Sequence, residues 1–141
     1  MACTRREFAS LLPGLASGWT QSGTANKGVL GTRVFRFEDL PVRESGPVRI
    51  YQVFTGTTHA GFMLDMHESE LAAGEAPHAP HRHVHEELIL IREGSLELTV
   101  TGKKTLLGPG SGVYVASGED HGFRNPGSAP AKYFVLALGQ D

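Results

Sequence analysis

His78-Ala79-Pro80-His81-Arg82-His83-Val84-His85-Glu86-Glu87 runs on through Leu88-Ile89-Leu90-Ile91 to Gly94. Four of the seven histidines fall within eight residues here, and two carboxylates follow at once. Imidazole and carboxylate are ligands for divalent metals such as Zn, Fe, Ni and Mn. The apolar run Leu88–Ile91 is rich in strand formers, and Gly94 reads as a turn. In an extended chain alternate side chains point to one face. His81, His83 and Glu87 are therefore expected to converge on one side of a strand, where one ion could hold all three. His85 shares their parity, so geometry alone leaves it open as a ligand. Glu86 has the opposite parity and is expected outside, the usual fate of a charge. His78 sits in the Pro-bounded loop and reads as a rim residue.

Gly110-Ser111-Gly112-Val113-Tyr114-Val115-Ala116-Ser117-Gly118-Glu119-Asp120-His121-Gly122-Phe123-Arg124-Asn125 is the second informative stretch. Val113–Val115 is strand-like, Ala116–Asp120 a tight turn, and His121 opens the next strand. His121 is the expected fourth ligand.

Together the two stretches resemble the paired signatures of the cupin superfamily. The first signature runs glycine, spacer, His-x-His, three or four residues, Glu, six residues, Gly. His81-Arg82-His83, Glu87 and Gly94 fall in that register. The second runs Gly, five residues, Pro-x-Gly, two residues, His, three residues, Asn; Gly110, Gly118, His121 and Asn125 match it. Gly74 comes one residue early and Ala116 stands for the proline, both at positions that shape turns rather than hold metal. The match covers about residues 74–125, and strand-like flanks extend the expected barrel to about 33–138. The resemblance implies an all-β fold, the double-stranded β-helix or jelly roll, as a single cupin barrel over residues 29–141. It also implies one divalent transition-metal ion (Fe, Mn, Ni or Zn) on His81, His83, Glu87 and His121. The motif spacing makes His83 the second ligand and leaves His85 as a supporting neighbour.

The rest of the composition is that of an ordinary globule, 40% hydrophobic and 20% charged over 141 residues. That length suits one domain with its own core. A net charge of −2 gives no reason to expect nucleic acid or a membrane surface as partner. A single cysteine, Cys3, rules out an internal disulfide. Residues 1–28 differ in character. Thr4-Arg5-Arg6-Glu7-Phe8 resembles the core of a twin-arginine export signal, with a short apolar run after it and small residues at Gly23-Thr24-Ala25. A short amphipathic helix or tail fits the same residues. Export to the periplasm is the expectation, cytoplasmic residence the alternative.

Eighteen glycines and eight prolines fit many tight turns. From Val34 on, the chain alternates strand and turn. Strands are expected at Val34–Phe37, Arg49–Thr55, Gly61–Met66, Leu96–Val100, Thr105–Leu107 and Ala131–Leu138. Leu40–Pro47 and Glu68–Pro80 read as connections. Ala131–Leu138 is apolar on both faces, and a wet apolar face there points to a homodimer. Phe62, Leu64, Met66, Tyr114, Phe123 and Tyr133 are candidates to line a pocket. Arg92 and Arg124 are candidate forks for a substrate carboxylate, while His59 and His67 have no partner visible in sequence. Small-molecule metalloenzyme chemistry of the dioxygenase, isomerase or lyase type is the leading expectation. A non-catalytic ligand-binding or sensing barrel is the alternative, and a regulator is disfavoured because no basic recognition helix appears.

Overall fold

The structure, a computed structural model, describes residues 28–139. The leader expected over residues 1–28, with its Thr4–Phe8 motif, lies outside them but for its last residue. Among the described residues nine strands follow a 3₁₀ turn at Phe37–Asp39: β1 Val42–Ser45, β2 Val48–Thr57, β3 Met63–Leu71, β4 Glu86–Glu93, β5 Leu96–Val100, β6 Lys103–Leu107, β7 Gly112–Val115, β8 His121–Arg124 and β9 Ala131–Leu138. They form two antiparallel sheets. The larger has the order β1-β2-β3-β9-β4-β7, the smaller β6-β5-β8. This is the expected all-β jelly roll. Among the described residues, no helix is long and apolar enough to cross a membrane.

The core follows from strand alternation. Ile89 and Ile91 on β4, Val113 and Val115 on β7, and Tyr133 and Val135 on β9 all turn inward. Leu96 and Phe123 face them from the smaller sheet, with Leu98 packed alongside. Gly94 makes the turn between β4 and β5 at φ 75°. A Cβ there would come within 2.9 Å of the Ala131 backbone, so both the conformation and the space call for glycine.

Three sequence expectations need correction. Val34–Phe37 is not a strand; the first strand is β1, inside the expected Leu40–Pro47 connection. The segment before it lies against the outer face of the larger sheet, with Phe37 on Tyr51 at 4.8 Å between ring centroids and Phe35 on Phe54 at 5.6 Å. Aromatic burial, not strand pairing, explains its apolar residues. β3 does not stop at Met66 but continues to Leu71, so Glu68–Leu71 is strand rather than loop. Its polar residues are buried by tertiary partners: Glu68 is fully covered, with Arg92 Nη2 2.9 Å from its Oε1. Arg92 thus belongs to the outer face, where its guanidinium also lies 5.7 Å over the Phe37 ring.

Asn125 fastens the end of the barrel. Its fully buried amide donates to the carbonyls of Leu71, Ala72 and Ala129 at 3.1, 3.2 and 2.9 Å, and its Oδ1 accepts from Gly127 N at 2.9 Å. Removing the amide strands buried carbonyls. Asn125→Ala is expected to lower unfolding free energy by about 2–4 kcal/mol, read from urea denaturation followed by circular dichroism.

Candidate metal centre

The site forms where the approach to β4 meets the start of β8. His81 and His121 exchange two backbone hydrogen bonds, His81 N to His121 O at 2.9 Å and His121 N to His81 O at 3.0 Å. Gly118 N donates to His83 O at 2.8 Å. The turn Ala116–Asp120 closes without proline, with Glu119 N on Ala116 O and Gly118 at φ 78°. His81 and His83 therefore reach the site from a strap held by the backbone, and β4 begins only at Glu86. The expected convergence is observed, but a pinned loop produces it rather than one continuous strand.

The imidazole nitrogens of His81, His83 and His121 lie within 4.8 Å of one another, a spread that a single ion with bonds of roughly 2.0–2.2 Å can gather. Glu87 sits between two of them, Oε1 3.5 Å from His83 Nε2 and Oε2 3.4 Å from His121 Nε2. The ring orientations are fixed from behind. His83 Nδ1 lies 2.7 Å from the carbonyl of His85, and His121 Nδ1 lies 3.0 Å from that of Glu119. A carbonyl only accepts, so each Nδ1 carries the proton and each Nε2 is left bare toward the cluster. His83 Nε2 is buried and has no hydrogen-bond partner, and its 3.5 Å approach to Glu87 lacks hydrogen-bond alignment. A bare nitrogen, a buried one at that, beside two more imidazoles and a carboxylate is what a metal-binding donor set requires.

His81 is held below the usual imidazole range, by partial burial first and then by His78, His121 and His83; Glu87 pulls weakly the other way. This shift favours the neutral form, the form in which an imidazole binds a metal. His85 stacks on His83, ring centroids 3.6 Å apart, with Nε2 3.4 Å from Glu87 Oε1. His83, His85 and Glu87 form a second group within ligating distance. His78 packs edge-on against His81 at the rim, as expected.

A cavity of about 160 Å³ opens beside the cluster, lined by His67, Ser69, Ile89, Phe123, Tyr133 and Val135 among others. Phe123 and Tyr133 were legible in the sequence. Phe62 and Tyr114 are not lining residues, being 66% and 57% exposed; Tyr114 lies on the outer face, where Glu86 also points and hydrogen-bonds it. Leu64 and Met66 take the outward parity of β3, opposite His67. Arg124 is exposed, with its Nε on the Gly74 carbonyl at 3.3 Å, so neither candidate arginine enters the cavity. His67 and Ser69 were missed, and only the true extent of β3 would have revealed them.

The Cupin domain family matches residues 67–137, half of the chain. This chain belongs to the cupin family. No curated protein matches it. Among solved structures, an RmlC-like cupin from Shewanella frigidimarina is similar with a TM-score of 0.64 at 20% identity, covering 77% of this chain and 93% of that one. A predicted oxalate decarboxylase from Thermotoga maritima gives 0.65 at 16% identity over 77% and 100%. The polyketide cyclase RemF of Streptomyces resistomycificus gives 0.60 at 24% identity over 79% and 81%. At such identities these likenesses speak for the shared barrel.

Tyr133 is a buried polar group of the cavity wall. Burial pushes its phenol up to about 12, the charge of Glu87 adds to this, and a hydrogen bond with Ser69 offsets part of it. Between the unfolded value near ~10 and about 12, the folded state holds a proton that the unfolded state has lost. Stability is therefore complete below ~10 and falls as pH rises through that window. Urea midpoints measured from pH 9 to pH 12 should fall less steeply in Tyr133→Phe than in the native protein.

Proposed function

We propose that this cupin is a metal-dependent enzyme acting on a small molecule, with one divalent transition-metal ion (Fe, Mn, Ni or Zn) held by His81, His83, Glu87 and His121. The observation that carries the reading is the buried, unpartnered Nε2 of His83, set among two further imidazoles and a carboxylate. An ion so held supplies Lewis-acid or redox chemistry to an oxygen ligand at its open coordination positions. The chain's own residues supply the rest. His83 and His121 are locked in one tautomer by backbone carbonyls. Ile89, Val135 and Phe123 wall the cavity against water. Tyr133 keeps its proton through the ordinary pH range and can donate it at Oη. The cavity is smaller than the roughly 300–1,000 Å³ sites of drug-sized ligands, in keeping with a small substrate. A predicted oxalate decarboxylase and a polyketide cyclase share this barrel.

Elemental analysis of protein purified without added metal should find one ion per chain. His83→Ala should abolish stoichiometric binding and His78→Ala should leave it intact; full occupancy in His83→Ala would overturn the assignment. A barrel of this size folds on its buried apolar surface. Chelation should therefore leave the β-sheet dichroism in place, whereas a structural ion would take the fold with it.

We also propose a homodimer paired through the outer face of the larger sheet. Leu88 and Leu90 of β4 and Phe134 and Leu136 of β9 share that outward parity, and Leu90 is 47% exposed. A contiguous apolar face of this kind is costly to leave wet. Light scattering should return twice the 15.1 kDa chain mass, and Leu90→Glu should return the monomer. A monomer mass for the native protein would contradict the pairing.

A further inference from the structure

A second imidazole faces the cavity away from the histidine cluster. His67 projects from β3 with its Nδ1 3.5 Å from Asp65 Oδ1. Asp65 is itself anchored. Thr55 Oγ1 donates to its Oδ2 at 2.5 Å, and Gln52 Nε2 lies 3.3 and 3.2 Å from its two oxygens. Gln52 is aimed by a bulge in β2 between Gln52 and Phe54, a device that commonly redirects a side chain beside a site. Burial tends to raise the Asp65 carboxyl, but the hydrogen bonds from His67, Thr55 and Gln52 outweigh it and hold it below the usual range. A carboxylate kept ionised opposite Nδ1 draws the imidazole proton to that nitrogen. Nε2 is then the basic nitrogen left for the cavity.

The register places this pair relative to the cluster. Asp65 and Glu87 both pair with Ala137, and His67 and Ile89 both pair with Val135. β3 and β4 are thus separated by one strand, roughly 10 Å between backbones, with their inward side chains facing the same cavity. A small molecule holding an oxygen at the cluster shares its cavity with His67. Ser69 and Tyr133 line the cavity there too.

We infer that His67, positioned by Asp65, is a general base of this cavity, and that the substrate is a carbonyl compound bearing a hydrogen on the carbon next to the carbonyl. The inference rests on the metal-site reading, because a neutral imidazole can take only a carbon-bound proton that a polarised carbonyl has made acidic. The carbon–hydrogen bond breaks and the proton passes to His67 Nε2. The electron pair moves toward the carbonyl, so that negative charge arrives on the oxygen at the cluster. The imidazolium formed faces the Asp65 carboxylate. Return of the proton to the same or the neighbouring carbon restores neutral His67, and no oxidant or reductant enters. Oxygenase, isomerase and lyase chemistries differ here, and this arrangement favours the proton-transferring classes.

The test places metal-loaded full-length protein in D₂O with pyruvate, 2-oxobutyrate or dihydroxyacetone as probes. Proton NMR follows loss of the signal beside the carbonyl. The native protein is expected to exchange at least one probe. His67→Gln is expected to lower that rate by about 100-fold or more with metal content and thermal melt unchanged. Asp65→Asn should lower it less. A second readout needs no turnover: ¹⁵N spectra of the metal-free protein should show His67 with Nδ1 protonated and Nε2 bare, and Asp65→Asn should mix the tautomers. Metal-loaded protein that exchanges none of the probes, His67→Gln exchanging at the native rate, or a protonated Nε2 in the native spectrum would each overturn the inference. A native protein that binds no metal would sink the metal reading instead, and the ¹⁵N spectrum would then decide the role of His67 alone.

Discussion

The reciprocal backbone bonds between His81 and His121 are the constraint on which the site depends. In an antiparallel pair, residues that exchange both hydrogen bonds are fixed face to face. Here one such pair joins the strap before β4 in the larger sheet to β8 in the smaller. It brings the two histidine-bearing stretches into contact with their rings 4.9 Å apart. The approach is close enough that a Cβ on Gly122 would crowd the Pro80 ring at 3.0 Å. Main-chain bonds, supplemented by the tie from Gly118 to His83, thus set the spacing of the imidazole nitrogens. Side-chain packing has only to orient the rings.

That origin explains what could be read from the sequence and what could not. The two motifs, the strands β4, β5, β7, β8 and β9, and the meeting of His81, His83, Glu87 and His121 all follow from local spacing. Local spacing carries no information about partners far along the chain. Glu68-Ser69-Glu70 looks like a loop because it is polar, yet Glu68 lies under Arg92 and Ser69 against Tyr133. Once the strand is cut short at Met66, the inward parity of His67 disappears with it. The irregularity of this strand pair lies in β2, between Gln52 and Phe54, and nothing in the residues themselves says which strand of a pair bulges. Val34–Phe37 failed for a related reason. An apolar segment that packs flat on a sheet has the same composition as one that joins it.

The two faces of the larger sheet have separate chemistry. Inward positions carry the core and the titratable groups of the cavity, while outward positions carry the Glu68–Arg92 pair and the apolar stripe of β4 and β9. Because side chains alternate strictly, a one-residue slip of β3 against β9 would exchange Glu68 for His67 and destroy both arrangements. The unbroken register from Leu64↔Leu138 to Leu71↔Ala131 keeps both arrangements in place.

Within that register Ala137 has a specific consequence. It stands between Asp65 and Glu87, two carboxylates brought to the same level of the sheet on either side of β9. Like charges inside a barrel are tolerated only when each has its own donors. Asp65 has Thr55, Gln52 and His67; Glu87 has His85, whose Nε2 lies 3.4 Å from its Oε1. One barrel thus sets a histidine–carboxylate cluster on one side of β9 and an anchored imidazole on the other.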